Sequence, residues 1–313
     1  MAQKAIVKPG KGGLKKRLWR DRYLYLLLLP VLAYYLVFKY APIYGIQIAF
    51  RDFKLNKGIW GSEWVGLYYF QRLFASKVFF RVFRNTLLLN IYNLVFGFPA
   101  PILLALMLNE MHSQGYKRLT QSIMYIPHFF SWVVLGGIVE GLLSPSTGIV
   151  NTIYKAISGN SQGIYFLASE RWWRPVFVIV NIWKEVGWGT IIYLAAISGV
   201  DVELYEAAII DGANKRQQIW HITLPGIRPT IVILLILRMG GMMDVGMESV
   251  LVLSNDVVRS VADVFSTYIY RQGVTKTQYS LTTAMGIFQS VVSSVLLLST
   301  NMISRRMTGE GIW

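Results

Sequence analysis

Long apolar runs alternate with short polar ones along this chain. Six runs reach or approach the ~20 residues that a helix needs to cross the hydrocarbon core. They cover residues 23–38, 86–108, 122–143, 175–198, 230 to about 253, and 281–303. Pro30, Gly97, Pro99, Pro127, Gly187, Gly189, Gly240 and Gly241 interrupt them. Such residues are tolerated in spans where neighbouring helices cover the loosened backbone, and they permit kinks or close packing. The pattern predicts an all-α polytopic membrane protein with six transmembrane helices. No repeat of solenoid period is visible.

Three regions follow: a basic cytoplasmic tail over 1–22, a transmembrane domain over 23–303, and a short cytoplasmic tail over 304–313. Six crossings return both termini to one side. Lys4, Lys8, Lys11, Lys15, Lys16, Arg17, Arg20 and Arg22 precede the first run, which places that side in the cytoplasm. No small-residue cleavage site follows them, so the segment reads as an anchor at anionic headgroups rather than a cleaved signal. Segments 112–121 and 199–228 are then cytoplasmic, and 39–80, 144–174 and 254–280 face outward. The outer segments also carry Lys and Arg, so orientation rests mainly on the tail. Within 51–80, Trp64, Tyr68, Tyr69, Phe70 and Phe74 suit either an interfacial aromatic belt or a docking lip for an extracytoplasmic partner.

Composition narrows the function. The 313 residues are 54% hydrophobic and 15% charged, with a mean hydropathy of +0.44, too apolar for a soluble domain of this length. The net charge of +15 reflects basic residues at membrane edges and gives no nucleic-acid reading. With no cysteine there is no disulfide framework, thiolate nucleophile or Cys-ligated metal. His112, His128 and His221 are too scattered in sequence to suggest a metal site.

One polar excursion between spans is the most informative stretch. It reads Glu206-Ala207-Ala208, three residues, Gly212, nine residues, Ile222, one residue, Leu224-Pro225. Gly212 is predicted to end one helix and Leu224-Pro225 the next, giving a helix-turn-helix of fixed geometry. Ala207, Ala208, Gly212 and Ala213 leave a shallow surface for another protein. Glu206 lies early in its helix, where a negative charge suits the dipole.

This spacing resembles the signature of binding-protein-dependent ABC importer permeases, and Asp211-Gly212-Ala213 is similar to their carbohydrate branch. Asp52-Phe53, Val65-Gly66-Leu67, Phe70 and Asn85-Thr86 resemble the same branch. Tyr40-Ala41-Pro42-Ile43-Tyr44-Gly45-Ile46 resembles the subgroup serving oligosaccharides of complex or acidic polysaccharides. The resemblance runs from about residue 23 to the C-terminus. It implies the type I importer permease fold in a bacterial cytoplasmic (inner) membrane. It also implies that Glu206, Ala207, Ala208, Asp211, Gly212 and Ala213 form a coupling helix seated in a cytoplasmic ATPase dimer. The other implied partners are a second homologous permease, an extracytoplasmic solute-binding protein and the oligosaccharide itself. No cofactor is expected in this chain. Gly10-Lys11-Gly12-Gly13 lacks the spacing and the preceding strand of a phosphate loop, so ATP and Mg²⁺ belong to the ATPase.

Charges inside spans are costly and tend to face an interior path. Asn181, Lys184, Glu185 and Trp188 fall at i, i+3, i+4 and i+7 on one helical face. An amide, both charges and an indole suit a carbohydrate; the alternative is that Lys184 pairs with an acid on a neighbouring helix. Arg238, followed by Gly241 and Asp244, either forks onto a uronate carboxylate or pairs with Glu185 or Asp244. Tyr125, His128 and Trp132 read as a packed aromatic cluster. Gln289, Ser290 and Ser293 either line a path or join helices. Two rival functions remain at this point. An ion-coupled secondary transporter would use the intramembrane charges. A membrane enzyme acting on lipid-linked sugars would need acids gathered at one face.

Overall fold

The computed structural model describes Trp19 and residues 21–312. The basic tail predicted over 1–22 therefore lies almost wholly outside the described residues, as does Trp313. Among the described residues, five helical runs are long and apolar enough to cross a membrane: α1 Arg22–Phe50, α3 Lys77–Asn109, α7 Glu170–Ser198, α9 Lys215–Gly240 and α12 Tyr279–Thr308. Two shorter helices, α4 Gln114–Phe129 and α5 Trp132–Leu143, meet at 108° and count as the sixth crossing when taken together. Between these lie α2 Tyr68–Phe74, α6 Ile149–Ser158, α8 Val202–Ile210, α10 Met247–Leu253 and α11 Phe265–Tyr270. A two-stranded antiparallel ribbon pairs β1 Arg51–Asp52 with β2 Glu63–Trp64.

Three spans differ from the expectation. The first, expected over 23–38, continues helical to Phe50, into the segment read as an outward loop. The run 122–143 is not one straight helix, because the chain breaks at Phe130-Ser131. Pro127 removes one amide from the last turn of α4, and the Ser131 hydroxyl starts α5 by accepting from the Val134 amide at 3.3 Å. The fifth span does not extend to Leu253. It ends at Gly240, and a turn through Gly246, with φ +89°, leads into the separate α10.

The centre of the molecule is α7, which packs most extensively against α3 and α4 and also against α9. Gly187 makes the α4 crossing possible, since a Cβ there would stand 2.0 Å from the Met124 carbonyl oxygen. Gly187→Val is therefore expected to separate α7 from α4 and destabilise the chain by about 1–3 kcal/mol. Thermal unfolding in detergent measures this, and an unshifted transition would contradict the close crossing. Trp173 and Phe177 stack in a core with Leu135, Val250 and Leu253, and the buried Trp173 indole donates to the Leu253 carbonyl at 2.8 Å. α12 packs on the end of α1, on α2 and on α9.

Three spans contain a wide π-helical turn just ahead of a proline. Residues 36–40 precede Pro42, 93–97 precede Pro99, and 219–223 precede Pro225. Proline has no amide to donate to the previous turn, and an i→i+5 turn is one way a helix accommodates that loss. Pro225 consequently does not end a helix, contrary to the expectation for Leu224-Pro225. The chain is helical from Lys215 to Gly240 straight through it.

At the end opposite the polar hairpin, the ribbon is tied to the start of α12. Ser280 Oγ donates to the Arg51 carbonyl and accepts from the Phe53 amide. The Tyr69 hydroxyl donates to Asp52 at 2.7 Å and holds that carboxyl below the usual range, aided by Lys54 and opposed by burial.

Candidate functional site

An open cavity of about 400 Å³ lies between α3, α7 and α9. From α3 it takes Asn90, Asn93, Gly97 and Pro101; from α7, Asn181, Glu185, Trp188 and Tyr193; from α9, Arg238. Asp244, in the turn beyond α9, completes its polar lining. The walls are mostly apolar, with a few polar groups at set places, as in sites that bind small organic ligands. Helical spacing brings Asn181, Glu185 and Trp188 to the cavity side of α7. Asn181 donates its amide to the Phe177 carbonyl at 2.8 Å, which leaves its side-chain oxygen as an acceptor. Trp188 is 46% exposed, so part of its indole is open to an apolar partner.

Two residues of the predicted set stand apart from this lining. Gly241 follows the last residue of α9 and is not part of the wall. Lys184 is 7% exposed and turns away. Its Nζ donates to the carbonyls of Pro127 at 3.4 Å, His128 at 2.9 Å and Phe130 at 2.6 Å, and it lies 5.4 Å from the Trp132 ring. Its partners are thus the carbonyls where α4 ends, not an acid on a neighbouring helix. The cation seals the break in the third span.

His128 has a larger part here than its sequence position suggested. Its ring stacks on Trp188 with centroids 4.6 Å apart and planes 2° apart. Its Nδ1 lies 3.1 Å from Glu185 Oε2. The packed aromatic cluster expected with Tyr125 and Trp132 is therefore centred elsewhere, on a residue of α7. The i, i+3 and i+7 spacing of Tyr125, His128 and Trp132 assumed a straight helix, and the break at Phe130-Ser131 removes that face.

The polar hairpin forms as the small residues dictate. Asp201 caps α8 by accepting from the Glu203 amide at 3.0 Å. Gly212, at φ +78°, closes it, with the Gly212 amide on Ile209 and the Ala213 amide on Ala208. Asn214 and Gln217 then exchange hydrogen bonds in a capping box that starts α9. The Tyr205 hydroxyl meets the Thr223 hydroxyl at 2.9 Å, and Gln218 donates to the Ala213 carbonyl, so both arms are cross-linked. Lys215 pairs with Glu110 at 3.4 Å, which places the turn after α3 at the same end. Glu206, Ala207, Asp211 and Gly212 are exposed, Ala208 and Ala213 are half-buried, and no residue of α8 is buried. Ile210 is 86% exposed on the same knob. A rigid element with an uncovered apolar rim is suited to receive another protein.

Comparison with known proteins adds the following. Residues 73–309 match the family described as binding-protein-dependent transport system inner membrane component. The chain is 47% identical over 309 residues to Protein LplB of Bacillus subtilis, covering 98% of this chain and 96% of that protein. It is 46% identical over 297 residues to the Bacillus subtilis polygalacturonan/rhamnogalacturonan transport system permease protein YteP, covering 95% and 92%. Among solved structures, it is similar to a chain of a bacterial alginate ABC transporter in complex with an alginate pentasaccharide-bound periplasmic protein. The TM-score is 0.88 and the identity 44%, over 96% of this chain and 100% of that one.

Proposed function

The chain belongs to the family of binding-protein-dependent transport system inner membrane components, and from that premise we propose that it carries acidic, uronate-containing oligosaccharides through the cavity between α3, α7 and α9. It is the permease subunit of an ABC sugar importer, and it works with a partner permease, an ATPase and a binding protein. ATP hydrolysis belongs to the separate ATPase subunit. The family assignment removes the secondary transporter and the lipid-linked-sugar enzyme as readings.

The observation that carries the substrate proposal is Arg238. Its guanidinium lines the cavity, and no carboxylate lies within ion-pair distance of it among the described residues. A planar cation with free donors matches a carboxylate bidentately, while the part-exposed indole of Trp188 offers an aromatic surface to a sugar ring. The printed substrates of the relatives, polygalacturonan/rhamnogalacturonan and alginate, support the same chemical class. Arg238→Gln is expected to lower uptake of acidic oligosaccharides about tenfold or more, the loss of one charge-assisted pair. Uptake into proteoliposomes measures this. Uptake unchanged by Arg238→Gln would refute the acidic reading.

In this proposal both termini are cytoplasmic in a bacterial inner membrane, and residues 23–303 form the permease domain. The hairpin is the coupling element: Glu206, Ala207, Ala208, Asp211, Gly212 and Ala213 seat in the ATPase dimer, which binds ATP and Mg²⁺. Closure of the ATPase would push this knob, and the two permease halves would rock about the shared cavity. The cross-links of Tyr205 to Thr223 and of Gln218 to Ala213 suit a part that transmits force without bending. The break between α4 and α5 is held to α7, a wall of the cavity, by Lys184.

A further inference from the structure

Glu185, Asp244 and Arg238 line one cavity, so Arg238 has two carboxylates within the same small space. An internal ion pair would cancel the cation toward an anionic ligand. Each carboxylate is engaged elsewhere. Asp244 accepts from the Gly246 amide at 2.9 Å. Glu185 is turned to His128, 3.1 Å from Nδ1. The same imidazole lies flat on Trp188, and Phe129 meets that indole edge-on at 6.0 Å and 84°. His128 is itself fixed through its backbone, because its carbonyl accepts from Lys184 Nζ. Lys184 faces the α4 carbonyls, so it offers Glu185 no alternative partner.

We infer that His128 is the positioning residue that keeps Arg238 available to an anionic sugar, by drawing the Glu185 carboxylate aside while its ring backs Trp188. This rests on the acidic-oligosaccharide reading above. Without the Nδ1 contact, Glu185 is released toward Arg238 on the same cavity wall. The ring contact with Trp188 is separate chemistry, since a phenyl ring supplies it equally well.

The test uses the complete transporter, reconstituted with its partner permease, ATPase and binding protein. The probes are short oligogalacturonates and alginate oligosaccharides. His128→Phe keeps a flat ring beside Trp188 and loses Nδ1. Uptake is expected to fall about tenfold, equivalent to ~1.4 kcal/mol, with assembly unchanged. Glu185→Gln supplies the reference background, with its own uptake as the baseline. In that background His128→Phe is expected to cost no further uptake, because the competing carboxylate is gone. A role in packing alone would cost the same in either background, so a second tenfold loss overturns the inference. Should His128→Phe fail to assemble, His128→Asn carries the test, with its amide in the place of Nδ1. It is expected to stay near native and to gain nothing from Glu185→Gln, and a large gain would overturn the inference. Arg238→Gln separates the two levels. If it abolishes acidic uptake and His128→Phe does not, only the role of His128 falls. If it has no effect, the acidic reading itself falls.

Discussion

Gly212→Val is expected to uncouple transport while the chain still folds into the membrane. Gly212 sits at φ +78°, where an L side chain costs about 1–2 kcal/mol and a β-branched one more. There is open space around its Cβ position, so the penalty is one of backbone conformation rather than of collision. Relief requires the turn to leave the left-handed region. The Gly212 to Ile209 and Ala213 to Ala208 hydrogen bonds would then break, and α8 would no longer be held at a fixed angle to α9. Recovery of the ATPase with the solubilised chain is expected to drop at least about tenfold, the consequence of losing ~1.4 kcal/mol of binding. Uptake is expected to fall with it. Gly212→Ala, with a smaller penalty, should lie between. An ATPase fully retained by Gly212→Val would place the docking surface elsewhere than this hairpin.

Lys184→Met is expected to cost the folded chain itself. Three backbone carbonyls at the end of α4 share this one buried ammonium. Removing it leaves those of His128 and Phe130 without a donor in a setting where water is scarce, at roughly 3 kcal/mol, while that of Pro127 keeps the Phe130 amide. The junction of α4 and α5 would lose its register against α7, and with it the ring of His128. The measurement is the monodisperse fraction and thermal transition of the solubilised protein. A substitution that left both intact and altered only sugar uptake would return Lys184 to the cavity, where the stripe on α7 first placed it. Lys184→Arg is expected to recover part of the loss, since it retains the charge in a longer, planar form.

The spans were legible because bilayer thickness imposes a length, and apolar runs of that length are hard to disguise. The hairpin was legible because its glycine, small residues and caps act locally, through contacts only a few residues apart. What was not legible depends on contacts between distant segments. The break at Phe130-Ser131 lies inside an apolar run, and the sequence marks it only with Pro127 and Ser131. The donor that stabilises it, Lys184, is more than fifty residues away. The shared helical face of Asn181, Lys184, Glu185 and Trp188 was a fair reading of periodicity, yet Lys184 is diverted by carbonyls on another helix. Pro225 misled for a related reason, because proline ends a helix only when no wider turn takes up its missing amide. His128 carried no local signal, and its importance is visible only once α4 is laid against α7.

The wide turns ahead of Pro42, Pro99 and Pro225 also govern how this chain tolerates changes of length. A π turn holds one residue more than the α turn it replaces. Deleting a single residue within 93–97 would convert the wide turn to an ordinary α turn and leave the facing of Pro101 nearly unchanged. A deletion in an α-helical stretch rotates everything beyond it by about 100°. A deletion in 219–223 would likewise keep Arg238 on the cavity side, whereas one between Pro225 and Arg238 would turn it out. These turns are where a span absorbs a change of one residue. Chimaeras between related permeases should therefore be joined by counting from these prolines, not from the preceding loops.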